Sequence, residues 1–176
     1  MILHNKYSDW QEDERNRMAR FITIVSMLPG VVGIYLGFYY LADDPNTALA
    51  IVTATTVGIT GVIAFVRHVI FHKSDAKRLG WETDRPDWMF EVGFANLAFG
   101  VMGLLPVFLH WGGKAYALVL FGYALYLFQA ALLHGYRYAT DEKRSPARLW
   151  RSCLTTLLYA GMLAYFGSIA LTISTN

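Results

Sequence analysis

The stretch His68–Gly100, HVIFHKSDAKRLGWETDRPDWMFEVGFANLAFG, decides the fold. An apolar run ends in two histidines, a charged segment with one proline follows, and a second apolar run begins at Trp88 with a single acid, Glu91, just inside it. This is the pattern of one membrane span ending and the next beginning, because a hydrocarbon core of about 30 Å takes about 20 apolar residues per helix. Working outward from it, five segments fit: Phe21–Ala42, Ala48–Val66, Met89–Leu109, Ala115–Tyr136 and Leu154–Ser174. With 176 residues, 55% of them hydrophobic and 16% charged, little chain remains for a soluble domain. The expected fold is all-α: a polytopic membrane protein of five transmembrane helices, two helical hairpins plus a closing helix.

The cations set the orientation. All of the 15 Lys and Arg residues except Lys114 fall before span one, between spans two and three, or between spans four and five. The positive-inside rule therefore puts the N-terminus in the cytoplasm and the C-terminus outside, in the periplasm or beyond a cell inner membrane. The expected organisation is a cytoplasmic segment 1–20 and a single transmembrane domain 21–174 with interfacial loops 67–87 and 137–151. The charged start, MILHNKYSDWQEDERNRMAR, lacks the layout of a cleavable signal, so the first span is read as permanent. KSDAKRLGWETDRPDW is expected to begin with one or two helical turns at the interface, ended by Pro86.

A repeat is also visible. HVIFHKSDAKR from His68 and HGYRYATDEKR from His134 share His, Asp, Lys and Arg at matching places. Two parallel hairpin repeats would produce this, and so would two helices ending at the same interface.

Polar groups inside spans carry the functional hypotheses, since each must find a partner or a water-filled cavity. Glu91, one turn into span three, shares a helical face with Ala95, Ala98 and Met102. It is expected to turn toward a neighbouring helix as an ion-paired carboxylate or as a proton carrier. Asn96 lies deeper, on the stripe Gly93, Gly100 and Gly103, where an interhelical hydrogen bond is the plainer role and a substrate contact the sharper one. Gln129, seven residues after Gly122, invites the same pair of readings. Gly33 and Gly37 give span one a GxxxG packing pair.

His68 and His134 are expected near the cytoplasmic leaflet. They are the pair that would ligate a b-type haem, each giving one ring nitrogen; otherwise they are helix C-terminal histidines at the interface. No cofactor is expected beyond that haem. His68 and His72 form an HxxxH pair like one histidine box of the membrane di-iron oxygenases, but five histidines and one cysteine supply too few ligands, so no metal site is expected. No phosphate-binding, dinucleotide, zinc-protease or hydrolase motif occurs, which leaves no enzyme class in view.

The segment Asp75–Ala76, Gly80–Trp81, Pro86, then Glu91–Val92–Gly93–Phe94–Ala95–Asn96–Leu97 resembles a bacterial family of small, uncharacterised integral membrane proteins. It differs at Asp87, where that family has an aromatic residue, and at Met89 and Phe90, where the family pattern has a glutamine just before the acid. The resemblance implies no activity; it places Glu91 and Asn96 in the family's distinctive segment.

Three functions follow. The first is a structural, accessory or helix-assembly membrane protein using the Gly93/Asn96/Gly100/Gly103 face. The second is a small proton-coupled transporter titrating Glu91, and the third a haem- or quinone-linked redox subunit using His68 and His134. The first is favoured because the others need more mid-membrane polar residues than spans one, two and five provide. The expected partners are the lipid bilayer and a second copy or neighbouring membrane subunit, with the cations explained by topology and not by nucleic acid.

Overall fold

A computed structural model describes residues 21, 24–79, 84–140 and 149–173. All regular structure among the described residues is helical. In chain order the helices are α1 (Ile24–Tyr40), α2 (Pro45–Ile70), α3 (His72–Leu79), α4 (Asp87–Phe108), α5 (Gly113–Thr140) and α6 (Ser152–Ile173). The helices α2, α4, α5 and α6 are long and apolar enough to cross a membrane; α1 is apolar but shorter. The short helix α3 occupies the place where interfacial turns are expected.

Local chemistry sets the ends. Asp44 caps α2, accepting the Thr47 N–H at 3.1 Å, and Pro45 opens the helix where its missing N–H costs nothing. At the far end of α4 the chain reverses through His110 (φ 53°) and Gly112 (φ 81°), while the Trp111 N–H closes onto the Pro106 carbonyl at 2.9 Å. At the end of α2, Phe71 breaks the helix, and the Asp75 N–H returns to the Phe71 carbonyl at 3.1 Å.

Two kinds of packing hold the helices. Between α2 and α4 the backbones touch: a Cβ on Gly103 would stand 2.5 Å from the Gly58 nitrogen, and one on Gly61 would stand 2.6 Å from the Asn96 carbonyl oxygen. Such close approach brings van der Waals contact that larger side chains would forbid, which is how small residues join helices in lipid. Between α5 and α6 the contact is made by side chains, with Leu120, Tyr123, Leu163 and Phe166 all buried. Gly33 and Gly37 of α1 are buried against Thr55 and Val52 of α2, and Gly37 also faces Phe166 of α6.

The helix α2 is not uniformly α-helical. It carries wide i→i+5 turns at Thr53–Ile59 and Val66–Ile70, and a third such turn, Trp150–Leu154, leads into α6.

Candidate functional site

A buried polar group stands on α4: Asn96, which lies on the same stripe as Gly93, Gly100 and Gly103 and is 4% exposed. Its amide nitrogen donates to the Val92 carbonyl at 2.8 Å and to the Tyr126 hydroxyl at 3.0 Å; its oxygen accepts from the Tyr123 hydroxyl at 3.1 Å. Both tyrosines stand on α5 three residues apart, so one helical face presents both phenols. Phe99, one turn beyond Asn96, has its ring centroid 5.2 Å from Tyr123 and 5.3 Å from Tyr126, closing the cluster with aromatic contact. Both amide donors and one acceptor site of the oxygen are thus met from within the chain.

A second cluster lies where α2 meets α3. The Asp75 carboxylate, with a side chain 1% exposed, has Arg67 Nε at 3.4 Å and His68 Nδ1 at 2.8 Å. The imidazole meets the carboxylate by distance but off the line of a hydrogen bond. Arg67 also donates to Ser26 Oγ of α1 at 3.4 Å and lies 3.5 Å from His68 Nε2. A buried carboxylate requires such partners, and removing one from a buried pair costs about 3–5 kcal/mol. The cluster therefore ties α1, α2 and α3 together. Gly93 of α4 makes room for it, since a Cβ there would approach His68 Cβ to 3.3 Å.

The other sequence candidates are placed differently. Glu91, expected to turn toward a neighbouring helix, is exposed, as are Ala98 and Met102 on the same face. The reason is the Gly58/Gly103 and Gly61/Gly100 approach. It turns the Gly93–Asn96–Gly100–Gly103 stripe toward α2, and a residue two positions from Gly93 then points away from the bundle. Gln129 is also exposed on α5, and His134 is half-buried near the end of that helix. His72, the other half of the HxxxH pair, lies against Phe90 and engages the Val69 carbonyl at 3.0 Å. Among the described residues no three His, Cys, Asp or Glu side chains are grouped to hold a metal ion. Asp141, the repeat partner of Asp75, lies outside the described residues, as do Lys143 and Arg144.

Sequence reasoning missed Tyr123, Tyr126 and the Arg67–Asp75 pair. Two hydroxyls three apart inside a span were the available signal for the tyrosines, because each needs a partner in lipid. Arg67 and Asp75 become neighbours only because the chain turns at Phe71.

No curated protein and no solved structure matches the chain. A family model does, over residues 17–171, which take in every described helix but the last two residues of α6. The chain belongs to DUF6790, a family of unknown function.

Proposed function

We propose that this chain is a structural or accessory protein of a bacterial inner membrane, crossing it five times with its N-terminus in the cytoplasm. The observation that supports this reading is the internal engagement of Asn96: its amide is taken up by Tyr123, Tyr126 and the Val92 carbonyl, as expected of a polar group that serves cohesion. The cation distribution supports the orientation. Glu91, exposed on the outside of the bundle, gives little support to a carrier built around it. The redox reading asks His68 to offer a ring nitrogen, whereas Asp75 faces one nitrogen and Arg67 the other.

The exposed apolar faces of α1 and α5 belong against lipid, a second copy or a neighbouring subunit. The test is native mass spectrometry of the full chain extracted with its surrounding lipid, with a visible spectrum and a proteoliposome proton-flux assay on the same preparation. The expected result is a defined complex with a second copy or another membrane subunit, without a haem band or flux. A lone chain that moves protons, or that carries a Soret band lost on His68→Ala substitution, would overturn it.

A further inference from the structure

The wide turn Thr53–Ile59 sits in the middle of α2, and its hydrogen bonding is completed from outside that helix. The Thr60 N–H reaches back five residues to the Thr55 carbonyl, which also accepts the Thr60 hydroxyl at 3.0 Å. The next carbonyl, that of Thr56, accepts the Tyr159 hydroxyl of α6 at 2.9 Å. Space for this phenol comes from α1. A Cβ on Gly30 would stand 2.8 Å from the Tyr159 hydroxyl oxygen and 2.9 Å from a carbon of its ring. Helices α2 and α6 thus meet at one backbone oxygen, with α1 packed against the phenol that reaches it, in a segment where lipid offers no donor in exchange.

An i→i+5 turn is less favourable than the α-helix around it and persists where its surroundings require it. Here the requirement is local and identifiable: Tyr159 supplies a donor to the turn, and Gly30 leaves the phenol in place. If the turn closed to ordinary α-helical bonding, the part of α2 beyond it would rotate by about 100° and shift by about 1.5 Å, the increment for one residue. That part of the helix carries Gly61, Arg67 and His68.

We propose that α2 is a two-register helix whose wide register is latched by the Tyr159–Thr56 bond, and that releasing the latch turns the Arg67–His68 end away from Asp75 and Ser26. The device links two places along one helix. Anything that parts α1 from α6 at Gly30 frees the phenol, and the consequence is felt at the cluster that joins α1, α2 and α3. The glycine contacts between α2 and α4 oppose the turn, so the latched register is the resting one.

The experiment uses the full chain in lipid nanodiscs, with Cys153→Ser to remove the native thiol. Spin labels are attached through Ile70→Cys and Leu133→Cys, both exposed at the ends of α2 and α5. Double electron–electron resonance should give one distance in this parent. Tyr159→Phe, which keeps the ring and removes the hydroxyl, should add a population displaced by about 4–9 Å, the arc swept between the Cα and side-chain radii by a turn of one residue step. Gly30→Ala, which crowds the phenol and leaves its hydroxyl intact, should add the same population. An unchanged distance distribution in folded Gly30→Ala and Tyr159→Phe overturns the proposal. Should Tyr159→Phe fail to fold, Gly30→Ala alone decides it.

Discussion

Asn96 of α4 and Tyr123 of α5 meet at 3.1 Å, the phenol donating to the amide oxygen, while the same amide's nitrogen serves Tyr126 and the Val92 carbonyl. An amide so engaged spends both of its donors and one acceptor site within the chain. In lipid, hydrogen bonds of this kind between helices contribute about 0.6 kcal/mol on average and up to about 1.7 kcal/mol. The arrangement accounts for a polar residue at this depth without invoking transport.

The glycine contacts give a prediction with an internal control. Gly103→Ala drives a methyl group into the Gly58 backbone, which no side-chain rotation can relieve, and should destabilise the protein by about 1–3 kcal/mol. Gly161→Ala enters open space, where the better helix propensity of alanine should leave stability unchanged or raise it by up to about 1 kcal/mol. Thermal unfolding of the two variants in one detergent compares them directly. Equal losses would mean that α2 and α4 do not approach through these glycines.

Glu91 makes a second test. Because it is exposed, Glu91→Gln should change stability by no more than about 0.5 kcal/mol, the usual range for a surface position. A loss above about 1 kcal/mol in chemical unfolding would place the carboxylate in a partnered, buried setting.

A third prediction concerns pH. Hydrogen bonds from the Thr47 side chain, and then from its backbone N–H, hold the Asp44 carboxyl below the ordinary carboxylate value. A depressed folded value means that the cap stabilises α2 fully above the unfolded carboxylate's titration and loses that effect as pH falls through the lowered value. Amide exchange in the first turn of α2, corrected for intrinsic rate, should therefore quicken in acid. Asp44→Asn, which still caps, should abolish this pH dependence.

Whereas the first expected span corresponds to the shorter helix α1, the four long apolar helices were legible because hydropathy reports transfer into lipid. It reads their ends less well. The helix α2 continues past Val66 to Ile70 and α5 past Tyr136 to Thr140, since backbone hydrogen bonding does not stop where side chains become polar. Hydropathy also leaves out what a phenol needs: Tyr123 and Tyr126 count as aromatic bulk, and only the crossing of α4 and α5 gives their hydroxyls to Asn96. The face of α4 was half legible. Its glycines marked a packing stripe, but the position of Glu91 relative to it depended on the glycines of α2 that come to meet it. The wide turns leave no periodic trace, because Thr53–Ile59 is a run of small and β-branched residues that suits either helix form.

The most direct test of the central claim, that the polar interior serves cohesion, is a double-mutant cycle between Asn96→Leu and Tyr123→Phe, read by reversible unfolding of the full chain in bicelles. Asn96→Leu alone leaves the buried phenol of Tyr123 and the half-buried one of Tyr126 without their partner and should lose about 1–3 kcal/mol. The pair should couple favourably by about 0.6–1.7 kcal/mol. A coupling near zero, with both single variants as stable as the parent and a solute flux or binding signal lost, would contradict the account and make Asn96 a ligand-handling residue.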